Sequence, residues 1–176
     1  MEKLNPFIEL IAYPIKLDFK NAVSLFKSYD LIIDGTDNFA SRYLINDAAL
    51  LTGKPYVYGA IYRFEGQVAV FNYKNGPTYR CLFPNPPKED SVPNCNTLGV
   101  LGVLPGIIGA YQANEALKII LGIGQSLSGS LMLINTQENT SSVLRVNRLE
   151  HEIKRTISSS QLKDEYHDLS LIHISE

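Results

Sequence analysis

The residues best placed to do chemistry lie in one short run, Asp34-Gly35-Thr36-Asp37-Asn38, which follows three apolar residues, Leu31, Ile32 and Ile33. Three consecutive apolar residues read as a short strand buried on both faces, as in parallel sheets. Gly35 breaks that run into a polar tip. Ligands of open α/β sheets sit outside the carboxyl ends of the strands, so a carboxylate here is a candidate ligand for a metal or for phosphate-bound magnesium. A plainer role is open to the same residues. Asp and Asn are favoured helix N-caps, and Asp37 or Asn38 stands where the next helical pattern begins. Spacing alone favours the cap.

The elements that would position this tip follow from periodicity. Residues 8–13 alternate well enough for a strand, between Pro6 and Pro14. Val23, Leu25 and Phe26 suggest a short helix over 20–28 leading into the strand at 30–34. Ala40, Leu44, Ala48 and Leu51 share one face of a helix over 38–53, with Gly53 as its left-handed stop and Pro55 after it. Strand, helix, strand, helix with short links is an α/β order with a parallel sheet.

The pattern then changes. Residues 56–63 and 67–73 are rich in aromatic and β-branched residues and read as a strand pair turned at Phe64-Glu65-Gly66. Residues 74–98 form a long irregular segment that holds five prolines and both cysteines, Cys81 and Cys95; a loop of that length in a compact domain is usually functional. From Gly99 the chain is apolar almost all round, which predicts a buried helix starting near Pro105. On it Gly106, Gly109, Ala110 and Ala113 form a small-residue face suited to close packing on a sheet, with Glu115 and Lys118 on the wetter side. Residues 130–136 and 141–147 read as a second strand pair. The fold class is therefore α/β, a Rossmann-like mixed sheet with parallel strands first and antiparallel pairs later. Its domain spans 1–147, and a polar linker follows over 148–168. Leu169–Glu176 resembles one reading frame of a common transposase-adaptor DNA, which makes it a candidate non-native tail; the alternative is an ordinary strand.

Composition narrows the function classes. The chain has 176 residues, of which 45% are hydrophobic and 19% charged, enough for one domain with a sizeable core. A formal net charge of −2 gives no electrostatic footprint for nucleic acid or an anionic membrane. No apolar run reaches the roughly 18 residues of a membrane span. Two cysteines fit a reducing compartment, so cytoplasm is the expected location.

Asp34-Gly-Thr-Asp-Asn38, Arg42 and Asn46, Gly59-Ala60, Glu65-Gly66-Gln67, Tyr79-Arg80-Cys81, Cys95 and the Gly-Val-Leu-Pro-Gly-Ile-Ile-Gly run occur in unbroken order between about Leu4 and Val146. Together they resemble the MoeB/ThiF/HesA family of ubiquitin-activating-type adenylyltransferases. The resemblance implies ATP-dependent adenylation of the C-terminal Gly-Gly carboxylate of a ubiquitin-like sulfur carrier protein, for molybdopterin, thiamine or tRNA thiolation. It implies ATP and Mg2+ as cofactors, with Asp37 as the magnesium-binding aspartate. Asn38 and Arg42 match motif positions beside it and are candidate cofactor-binding residues. Cys95 stands where some relatives carry the cysteine that bonds to the carrier tail; a thiolate in an exposed loop suits that role, while a packed free thiol is the plain alternative. The resemblance further implies a homodimer for a complete protein and, in some relatives, a rhodanese-like sulfurtransferase domain as a partner.

The chain also departs from that family. Many relatives hold a structural zinc with two Cys-x-x-Cys pairs. Here the first position is Thr78 and no later pair follows, so zinc is not expected. No G-x-G-x-x-G follows a strand, and Gly122-Ile-Gly124 ends a helix rather than opening one. The expectation is a domain lacking the N-terminal nucleotide-binding βαβ half, inactive by itself. A carrier-binding module without activity is the alternative function, and a fragment of a nicotinamide-dependent oxidoreductase is a distant third.

Overall fold

The computed structural model describes residues 3–87 and 99–159. Its backbone is a mixed five-stranded sheet in the order β1-β2-β3-β4-β5. The strands are β1 (Ile32–Asp34), β2 (Tyr56–Tyr62), β3 (Glu65–Phe71), β4 (Ser130–Asn135) and β5 (Thr140–Arg145). The first pair is parallel, with Ile32 opposite Tyr56 and Asp34 opposite Tyr58; every later pair is antiparallel. This is the mixed α/β sheet that the sequence predicts.

Helix α1 (Phe19–Lys27) begins with a reciprocal cap. Asn21 N donates to the Asp18 carboxylate at 2.9 Å, and Asp18 N donates to Asn21 Oδ1 at 3.0 Å. Helix α2 (Phe39–Thr52) is capped by Asn38, and Gly53 ends it with φ +67°, a left-handed conformation that glycine adopts without a Cβ penalty. Residues 40 and 42–49 of α2 are all buried, so it runs through the core on one face of the sheet. Strand alternation divides the sheet residues. Tyr56, Tyr58 and Phe71 meet α2 and Tyr79, which lies on the short helix α3 (Tyr79–Leu82). Val57, Val68 and Val70 face the other way, against Leu104 and Ile108 of helix α4 (Leu104–Leu121).

Four expectations are corrected. Residues 8–13 form no strand, and Ile8, Leu10 and Ile11 are all exposed; alternation gives a strand only where a neighbour completes the ladder. The β2–β3 turn sits at Arg63-Phe64, because Tyr62 pairs with Glu65 and Arg63 takes the left-handed conformation.

Helix α4 is not buried all round. Its buried face is Leu104, Ile108, Gln112, Glu115 and Ala116, whereas Gly106, Gly109, Ala110 and Ala113 are exposed. Close approach comes from glycines of the sheet instead. A Cβ on Gly59 would lie 2.4 Å from Gln112 Cδ, and one on Gly66 would lie 2.2 Å from Ile108 Cδ1. Glu115 tolerates burial because Lys118 Nζ and Leu127 N both donate to its carboxylate.

The fourth correction concerns 148–168. Within that polar stretch residues Glu150–Ser158 form helix α5, with Ile153 buried. Arg155 of α5 pairs with Glu152 at 2.6 Å and also donates to the Pro84 carbonyl, which ties the stretch back to the end of α3.

Candidate functional site

The tip that follows β1 is built from the inside out. Asp34 ends the strand and is fully buried. One oxygen, Oδ1, accepts from Thr36 N at 2.9 Å and from Thr36 Oγ1 at 2.7 Å; this is an Asx turn, a short polar side chain folding its own backbone. Its other oxygen, Oδ2, is buried with no hydrogen-bond partner among the described residues. Burial holds the Asp34 carboxyl above the usual aspartate value, and the two Thr36 bonds and the Arg42 charge offset that only in part.

Arg42, on the first turns of α2, reaches back over the same loop. Its Nη2 donates to the Thr36 carbonyl at 3.2 Å. Its guanidinium carbon lies 5.6 Å from the ring centres of both Phe39 and Tyr58, within the range of a cation–π contact. Arg42 Nε is buried and unpartnered among the described residues. From the far side of the sheet, Gln112 of α4 donates through Nε2 to the Asp34 carbonyl at 2.7 Å.

Asn38 is the N-cap, its Oδ1 accepting from Ser41 N at 2.8 Å. That role leaves Asp37 out of the cap. Asp37 is exposed, and its single close polar contact given among the described residues is Asn38 Nδ2 at 3.4 Å. The tip therefore presents one carboxylate to solvent beside a helix N-terminus, where negative charge is favoured. A lone carboxylate completed by waters and phosphate oxygens is a donor set that magnesium accepts, so the residues present fit that ion.

Asp37, Asn38 and Arg42 thus lie together at one strand tip. Cys95 falls outside the described residues. Asn46, a motif position, lies deeper. Its Oδ1 accepts from Tyr79 N at 2.8 Å and Tyr56 OH at 3.2 Å, which satisfies buried donors of α3 and β2. Sequence reasoning passed over Asp34, Thr36 and Gln112. The first two stand in the same run as Asp37.

A profile of the ThiF family matches residues 1–155. The chain belongs to the ThiF family. Among curated ThiF-type relatives it is 50% identical over 153 residues to the "Sulfur carrier protein adenylyltransferase" of Thermus thermophilus, covering 84% of this chain and 56% of that protein. It is 49% identical over 140 residues to the "Probable adenylyltransferase/sulfurtransferase MoeZ" of Mycobacterium tuberculosis, covering 77% of this chain and 36% of that one. The chain spans about half or less of these relatives' lengths. Among solved structures, E. coli MccB with AMPCPP and a selenomethionine form of MccA superposes with a TM-score of 0.67 at 14% identity, over 84% of this chain and 46% of MccB. That likeness shows the fold. No helix among the described residues is long and apolar enough to cross a membrane.

Proposed function

We propose that this chain is the catalytic-site portion of an adenylyltransferase that activates the C-terminal carboxylate of a ubiquitin-like sulfur carrier. The observation that carries the reading is the exposed Asp37 carboxylate at the end of a parallel strand, next to a capped helix N-terminus. Its chemical setting is a ThiF-family chain half identical to a relative named for sulfur carrier adenylation.

In this reading ATP is a substrate. A carrier carboxylate oxygen bonds to the α-phosphorus, the bond from that phosphorus to the β-phosphate bridge breaks, and pyrophosphate leaves. Asp37 would hold magnesium, which would supply positive charge against the departing phosphates. Asn38 keeps the helix N-terminus in place, and Arg42 brings a fixed positive charge to the tip. The barrier is lowered by positioning two anions and by preorganised charge, with no proton transfer demanded of the chain. Cys95 is assigned the next step: its thiolate attacks the acyl-adenylate carbonyl, forming a thioester as AMP leaves.

Zinc does not fit. The thiol of Cys81 is buried and already accepts from Thr78 N at 3.4 Å and Leu149 N at 3.3 Å. No group of three or more His, Cys, Asp or Glu among the described residues is placed to hold a metal. We assign Cys81 to packing. The domain is taken to include α5 (Glu150–Ser158), and Leu169–Glu176 is taken as a non-native tail.

The alternative reading is a carrier-binding module without activity. A chimera separates the two. This chain replaces the matching segment of the Thermus thermophilus relative, and carrier-dependent ATP–pyrophosphate exchange is measured. Exchange well above the no-carrier background supports the enzyme; carrier binding without exchange supports the module.

A further inference from the structure

Asp37 has almost nothing to hold its own side chain. An exposed carboxylate with a single 3.4 Å contact gains its precision from its backbone. That backbone is held with unusual redundancy one residue earlier. Thr36 N and Thr36 Oγ1 both donate to Asp34 Oδ1, and the Thr36 carbonyl accepts from Arg42 Nη2. The peptide before Thr36 is thus fixed at its N–H, and the peptide joining Thr36 to Asp37 is fixed at its oxygen. Asp34 is itself anchored from both sides, by its ladder position opposite Tyr58 and by Gln112 on its carbonyl.

We propose that Asp34 is a positioning residue, which sets where Asp37 presents its carboxylate by gripping Thr36. The proposal rests on the reading of Asp37 as a metal ligand. It explains an arrangement that stability alone does not favour. A fully buried carboxylate with one unpartnered oxygen is expensive, and an Asx turn works as well with Asn. A charged acceptor makes hydrogen bonds roughly twice as strong as a neutral one. The charge therefore stiffens the tip at the expense of the fold. Arg42 supports the same peptide from the helix side, so the two buried charges meet on one backbone residue rather than on each other.

The test uses the 176-residue chain labelled with 15N, with Mn2+ as the probe. In the parent, Mn2+ is expected to broaden the amides of residues 36–39 selectively, and Asp37→Asn to abolish that broadening. In Asp34→Ala, the Thr36 amide is expected to exchange with solvent about tenfold faster, in keeping with loss of a charge-assisted bond. Mn2+ affinity is expected to fall several-fold while the rest of the spectrum stays dispersed. Asp34→Asn keeps the acceptor without the charge and is expected to recover part of both readouts, above Asp34→Ala and below the parent. Thr36→Val, which removes one of the two donors, is expected to fall between, and it keeps the test decisive should Asp34→Ala fail to fold. A folded Asp34→Ala or Thr36→Val with parental Thr36 exchange and parental Mn2+ affinity overturns the proposal. Absence of Mn2+ broadening in the parent overturns the metal reading instead; unchanged Thr36 exchange in the variants then removes the grip as well, and faster exchange retains it as a backbone device only.

Discussion

Asp34 and Asp37 are three residues apart and have opposite environments. Asp37 is in water; Asp34 is buried, and desolvation raises its pKa above 3.8. A carboxyl that is harder to ionise when folded binds its proton more tightly in the native state. Folding stability from this group is therefore greatest at low pH, and it is lost as pH rises from 3.8 through the folded value. Asp34→Asn removes that dependence. Relative to the parent, the variant should gain thermal stability steadily above pH 3.8 and level off once Asp34 is ionised in the parent; melting curves of both across pH 3.5–8 check this. A constant difference across the series would show that burial of the charge is not what strains this residue. The roles of the two aspartates were only partly legible in sequence. Asp37 or Asn38 next to a helical pattern announces a cap through local chemistry, whereas a ligand role for Asp37 is what the family resemblance implies. Nothing local says that Asp34 turns inward to hold Thr36, or that Gln112, 78 residues away, meets its carbonyl.

At the scale of elements, the sheet and α4 are brought together by absent side chains. A Cβ at Gly59 would lie 2.4–2.6 Å from the Gln112 amide group, so a larger residue there requires that side chain to move. Gly59→Ala should displace Gln112 from the Asp34 carbonyl and destabilise the protein by about 1–3 kcal/mol, the usual effect of overpacking a core; denaturant unfolding measures it, and Gln112→Ala in the same chain should recover part of the loss. The helix departs from its sequence pattern for a physical reason. Small residues mark a possible close contact, but which partner supplies the missing Cβ is a tertiary fact. Glu115 reads as a surface residue until its carboxylate is seen to accept from Leu127 N, twelve residues on.

The join between α3 and α5 makes a second point at this scale. Arg80 holds Asp47 through two bonds of 2.8 Å, Arg148 donates to the Gly76 carbonyl at 3.0 Å, and Leu149 N reaches Cys81 Sγ. Hydrogen bonds and ion pairs hold this corner together where many relatives are expected to use zinc. The chain should melt at the same temperature with and without EDTA, and purified protein should carry no stoichiometric zinc by elemental analysis; a lower melting temperature on chelation would contradict this. The short pattern around Ile153 was too polar to announce α5, because Glu152 and Thr156 are buried beside it through bonds to Arg155 and to the helix backbone.

The molecule as a whole combines a fold readable from its strands with a site readable only in part. Parallel and antiparallel pairs followed from aromatic and β-branched runs and from the turns between them, since those signals are local. Residues 8–13 show the limit: alternation is a property of a sequence, and a ladder is a property of two strands. The proposed site lies at the end of β1, in the parallel pair β1–β2 of the described sheet, and its proposed chemistry rests on ThiF-family membership. The most direct measurement is carrier-dependent ATP–pyrophosphate exchange in the chimera with the Thermus thermophilus relative, comparing the unaltered segment with Asp37→Ala. Loss of exchange by about a hundredfold or more, with an unchanged melting curve, is the predicted result for removing a preorganised electrostatic group. Exchange at the unaltered level in a folded Asp37→Ala chimera would contradict the account.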